Sequence, residues 1–153
     1  MKYEKMNPRV KKKWLKALRS GEYLQGTLQL CTPTYLTNPS TSPDLPAQID
    51  EDGDYKFCCL GVLENLYCLE KNLDFPLDRM EEGFHSPEAA EWSGLLRNTL
   101  DVMSDTQVHL IDNPALEQLT AMNDGQDFSE IWGLPKINKR TFKGIATWIE
   151  KNL

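Results

Sequence analysis

The sequence predicts an α+β protein, with four to six helices packed around a small antiparallel β-hairpin or sheet. Three observations carry that expectation. Val10, Trp14, Ala17 and Leu18 recur at helical spacing between an Asn7-Pro8 start and a Gly21 stop. Tyr23 to Cys31 alternates apolar and polar residues as a half-buried strand does. Phe142, Ile145, Ala146, Trp148, Ile149 and Leu153 fall on or near one face of a helix from about Thr141 onward. With 153 residues, 40% of them hydrophobic and 26% charged, the chain reads as a single domain over 1–153 that buries a core without staples.

Between these anchors the elements follow in order. Residues 32–54 hold Pro33, Pro39, Pro43 and Pro46 among many Ser, Thr and Asn, and read as a long loop. It closes on Asp50–Asp54, whose spacing lacks the Gly and Glu of a calcium loop and reads as a turn. Tyr55 to Cys58 is a short strand, expected to pair with residues 26–31 as a hairpin. Cys59 to Glu70 is a largely buried helix in which Gly61 implies close approach of another backbone. Ser86-Pro87 opens a short helix through Trp92 that ends near Gly94. Gln107–Ile111 is a candidate strand. Asn113-Pro114 opens a helix through Met122, broken by a turn at Asn123-Asp124-Gly125. Residues 129–143 read as a surface insertion.

The charge distribution excludes some functions and leaves others. The net charge of −6 conceals a first stretch, residues 1–21, with eight basic side chains against Glu4 alone. The acidic remainder makes duplex DNA an unfavourable partner, since only the one basic helix attracts phosphate. No apolar run reaches the ~20 residues of a membrane span, and Met1 to Trp14 lacks the apolar core of a secretory signal, so a cytosolic setting is expected. In the cytosol Cys31, Cys58, Cys59 and Cys68 stay reduced. Their spacing, with His85 and His109 far away, is poor for zinc, so no metal and no cofactor is expected, and the thiols read as small buried hydrophobes.

The sequence has no phosphate-cradling glycine loop, no Gly-x-Ser-x-Gly elbow and no His-Glu-x-x-His. Cys58 or Cys59 could partner His85 or His109, but a catalytic thiol prefers an exposed, electropositive site rather than a core. No catalytic residue is assigned, and the balance leans away from an enzyme.

Lys13–Gln25, Phe57–Leu63, Pro87–Leu95, Leu119–Gly125 running on to Phe128, and Ile145–Glu150 together resemble, in order and spacing, a family of small proteins common in phage and prophage genomes. The long 32–54 loop, the 129–143 insertion and Glu64-Asn65 after the second segment depart from that pattern. The resemblance implies a mobile-element habitat and supplies no activity.

Within those segments the polar residues Arg19, Ser20, Tyr23 and Gln25 cluster at a helix–strand junction, and Asn123 and Asp124 follow later. An arginine fork suits phosphate, a tyrosine ring can stack, and amide and carboxylate groups suit base or ribose hydroxyls. These six residues are the expected ligand-binding set for a small nucleotide-like molecule. In a phage setting, such a binder would be a sponge sequestering a host immune signal. The alternatives are an inhibitor or adaptor of a host defence protein, using the basic helix as contact surface, and a nucleotide hydrolase whose site the sequence does not display. Self-association stays open.

Overall fold

Val10, Trp14, Ala17 and Leu18 form one buried stripe on the first helix, α1 (Pro8–Ser20), as the spacing predicts. The computed structural model describes residues 5–27, 30–33, 55–75, 87–95, 114–125 and 136–153. Asn7 caps α1 through its side chain on the Arg9 N–H, and Gly21 ends it at φ +80°, which costs a residue with a Cβ more than a glycine. Trp14 is fully buried, and its indole N–H donates to the Cys59 carbonyl at 3.0 Å. That bond fixes where α1 meets α2 (Cys59–Lys71).

Three more helices complete the described set: α3 (Pro87–Ser93), α4 (Pro114–Asp124) and α5 (Phe142–Asn152). Helix α1 packs on α5, α2 and α3, and α4 bridges α2 and α5. Met6 and Asn7 tie the chain ahead of α1 to the far ends of two helices, donating to the Leu153 and Ser93 carbonyls. The core runs through all five helices, with Leu60, Leu63, Leu116, Leu119, Met122, Ile145 and Ile149 at its centre. Among the described residues no helix is long and apolar enough to cross a membrane.

The fold class is therefore α+β and mostly helical, but the sheet is not the antiparallel one expected. β1 (Leu24–Gln25) pairs parallel to β3 (Tyr55–Phe57), and β2 (Cys31–Pro33) pairs antiparallel to the other edge of β3. The segment from 23 to 31 is thus not one strand in a hairpin. Its apparent alternation fails at Leu30 and Cys31, which are consecutive and both buried. β3 enters between β1 and β2. The Gly26 N–H donates to Phe57 O at 2.7 Å on one side, and the Cys58 N–H donates to Leu30 O at 3.1 Å on the other.

The close approach expected at Gly61 is present. A Cβ there would lie 1.8 Å from the Leu30 carbonyl oxygen, so the first turn of α2 sits against the backbone just ahead of β2 with room for hydrogen only. Helix α4 runs past its expected end: Asn123 and Asp124 form its last turn, and Gly125 makes the stop at φ +74°. Of the expected insertion, residues 136–143 are described. Their side chains are exposed apart from half-buried Ile137 and Phe142, which is buried at the start of α5, while the Arg140 N–H donates to Met122 O. The 34–54 part of the long loop, the Gln107–Ile111 strand, both histidines and the helix starts at Ser86 and Asn113 lie outside the described residues.

Candidate functional site

Three of the six expected ligand-binding residues, half-buried Gln25 and Asp124 and buried Asn123, meet in one polar knot. Asn123 is 1% exposed, and α4 delivers its side chain between β1 and the start of α2. Its Oδ1 accepts from the Cys59 N–H at 3.1 Å and from Gln25 Nε2 at 3.3 Å. Its Nδ2 donates to Gly26 O at 2.9 Å and to Asp124 Oδ1 at 2.7 Å. Gln25, on β1, closes the other side: Nε2 donates to Arg140 O at 2.8 Å and Oε1 accepts from the Phe142 N–H at 3.0 Å. Every donor of both amides has an acceptor within the protein, and both oxygens accept. The knot joins β1, α2, α4 and the start of α5, and it supplies the orphan N–H of Cys59 at the first position of α2 with an acceptor.

The other three stand apart from it. Ser20 Oγ donates to Ala17 O at 2.8 Å and accepts from the Glu22 N–H at 3.0 Å, a local closure of the α1 terminus. Tyr23 is half-buried. Its ring meets Phe57 edge-on with centroids 5.4 Å apart, and its hydroxyl accepts from Asn65 Nδ2 at 2.9 Å. Arg19 lies on the outer side of α1, where its guanidinium donates to Glu150 Oε2 at 2.7 Å. The structure therefore brings Gln25, Asn123 and Asp124 together and leaves Arg19 in a different setting.

That setting is a groove of about 440 Å³ along α1, lined by Pro8, Lys11, Lys12, Leu15, Lys16, Arg19 and Glu150. The cations of α1 sort by helical position. Arg9 and Lys13, one turn apart, both reach Glu70 of α2, whose Oε1 also accepts from the Trp92 indole N–H at 3.1 Å. Lys11 Nζ donates to the Glu150 backbone carbonyl at 3.1 Å, and Arg19 holds the Glu150 carboxylate. Lys12 and Lys16, also one turn apart and both exposed, carry no ion pair among the described residues. The groove is thus four cations and one acid over an apolar floor of Pro8 and Leu15. Hydrogen bonding to Arg19, then the charge itself, holds the Glu150 carboxyl below the usual range, and the same bond raises Arg19.

Lys12 and Lys16 stood out in the sequence as part of a basic helix, but not as residues of a small-ligand site. Glu150 gave no signal there, since its partner Arg19 is 131 positions away.

The thiols are placed for packing. All four cysteines are free and buried. Cys58 Sγ accepts from the Gly61 N–H at 3.3 Å as the cap of α2, and Cys59 Sγ donates to Leu119 O at 3.7 Å. Burial pushes Cys58 and Cys31 up to about 12 and raises Cys59 well above the ordinary thiol value, which disfavours the nucleophilic thiolate. Among the described residues no three His, Cys, Asp or Glu side chains converge to hold a metal.

A family model described as a domain of unknown function (DUF8296) matches residues 6–35. The matched stretch begins just ahead of α1 and ends just beyond β2, so it includes Arg19, Ser20, Tyr23, Gln25 and the groove lysines. No curated protein matches the chain, and no solved structure does.

Proposed function

We propose that this protein is a non-enzymatic binder of a small, phosphate-bearing, nucleotide-like ligand, and that the groove along α1 is its site. The observation that carries the reading is the pair of exposed ammonium groups of Lys12 and Lys16, without an ion-pair partner among the described residues, beside the Arg19 fork. Lysines at i and i+4 stand about 6 Å apart and repel each other, so an anion between them relieves a standing repulsion. Arg19 adds bidentate geometry, and Leu15 with Pro8 offers an apolar surface to a sugar or base edge. Of the six expected ligand-binding residues, this reading keeps Arg19 at the ligand. Ser20, Tyr23, Gln25, Asn123 and Asp124 serve the scaffold that holds α1 in place. In the phage setting that the sequence resemblance implies, such a protein acts in the host cytosol as a sponge for an immune signalling nucleotide.

Native mass spectrometry with mono-, di- and cyclic nucleotides tests the proposal. A complex carrying intact ligand at fixed stoichiometry supports it. At a ligand concentration of 100 times Kd, binding adds about 2.7 kcal/mol of stability, readable as a thermal shift. Ligand released at a new mass would replace the sponge with a hydrolase. The second reading, an inhibitor or adaptor that docks an acidic segment of a host defence protein, is favoured by the extension of the same cations along one open helix face. It predicts no nucleotide complex, and a partner whose capture is lost on charge reversal at Lys12 and Lys16.

A further inference from the structure

Glu150 is an odd residue for its position. It lies in the last turn of α5, where unsatisfied carbonyls give the helix end a partial negative charge that disfavours a carboxylate. Its side chain is more than half exposed, and so is not required by packing. Its neighbours are the cations of another helix: Arg19 on its carboxylate and Lys11 on its backbone carbonyl. A local rule broken at the rim of a charged groove points to the groove rather than to the helix.

Along α1 the cations fall into two stations. Lys12 and Lys16 have no ion-pair partner among the described residues, whereas Arg19, one turn further on, already holds an anion. With a rise of 1.5 Å per residue, Arg19 lies roughly 4.5 Å beyond Lys16 and 10.5 Å beyond Lys12 along the axis. One phosphate seated at the lysines leaves Arg19 with Glu150. A second phosphate some 5–8 Å from the first reaches the guanidinium, and there it meets the carboxylate.

Resting on the binding reading above, we propose that Glu150 is a built-in competitor for the Arg19 station. The groove then discriminates by phosphate number, taking ligands whose two phosphates are separated by about one nucleoside and giving little advantage to monophosphates. Displacement is feasible because the Arg19–Glu150 pair is exposed to water and weakly held, and a second phosphate tethered to one already seated at the lysines meets the guanidinium at high effective concentration. Lys11 keeps its bond to the Glu150 backbone whichever side chain stands there, so α5 stays anchored while the carboxylate leaves.

Titration calorimetry with the 5′-phosphorylated dinucleotide pApA and with AMP tests this on the full chain. The wild-type protein should bind pApA more tightly than AMP. Glu150→Gln should tighten pApA up to about fivefold, the worth of one exposed ion pair released from competition, and leave AMP within about twofold. Adding Arg19→Ala to Glu150→Gln should cancel the gain. A gain that survives without Arg19, or that is equal for AMP, would reflect removal of a negative charge from the field and overturns the competitor role. Wild-type binding that Glu150→Gln leaves unchanged also overturns it, with the binding reading intact. Failure of both proteins to bind either probe ends both. Thermal unfolding of each variant, expected to match wild type, confirms that the fold is present.

Discussion

The polar knot around Asn123 and the groove along α1 are opposite solutions for polar side chains. In the knot, the Asn123 amide is buried and that of Gln25 half-buried, and each donor and acceptor is matched to a group fixed by the fold. In the groove, ammonium groups are exposed and two of them have no partner among the described residues. The residues with the richer hydrogen-bonding chemistry are thus the ones the scaffold has occupied. Those that read as a solvated helix face are the ones left open to solvent. Chemical versatility is a poor guide to a site unless it comes with accessibility.

Substitution can test each half of that contrast. Asn123→Ala should be the most damaging, because it leaves the buried Cys59 N–H and Gly26 carbonyl without their partner; about 3 kcal/mol or more is expected by chemical denaturation. A variant as stable as wild type would mean that the knot does not hold the fold. Gln25→Ala, at the more exposed side, should cost roughly 1–2 kcal/mol. Combined with Asn123→Ala it should be non-additive by about 0.5–3 kcal/mol, since the two amides bond to each other. Lys12→Glu with Lys16→Glu should shift stability by no more than about 0.5 kcal/mol. The same pair should abolish anion binding in calorimetry; binding that persists moves the ligand out of the groove.

The smallest effect is on the far flank of α1. The Lys13 ammonium, then the Trp92 indole N–H and Arg9, hold the Glu70 carboxyl below its ordinary value. Its folded value is depressed, so its contribution is present above the ordinary carboxylate range, about 4.3, and is lost as pH falls through the lowered folded value. Glu70→Gln should therefore flatten the acid limb of a stability–pH curve and leave neutral pH nearly unchanged. An unaltered acid limb would mean that the exposed cluster contributes nothing measurable.

What was legible in the sequence follows from where the deciding interactions lie. Helix α1 could be read from cap to stop because Asn7, Pro8, the Val10–Leu18 stripe and Gly21 act within the segment itself. Gly61 announced its close contact for the same reason, since a glycine inside an apolar helix has few other uses. The sheet could not be read, because the direction of β1 depends on where β3 enters, some thirty positions later. Asn123-Asp124-Gly125 reads locally as a turn, and only partners 64 to 98 positions away make Asn123 the end of a buried helix. The groove was half visible: the lysines are a run in the sequence, but their relation to Glu150 exists only once α5 packs on α1.

The bond from Asn123 to the Cys59 N–H also orders events during synthesis. A chain emerging from the ribosome has all of α2 in hand, through Lys71, while the side chain that caps its first amide is still 52 residues from being made. Until α4 arrives, that end of α2 frays, and its amide exchanges with solvent. Exchange at the Cys59 amide is therefore a clock for the docking of α4, slowing when residue 123 takes its place rather than when the helix itself forms.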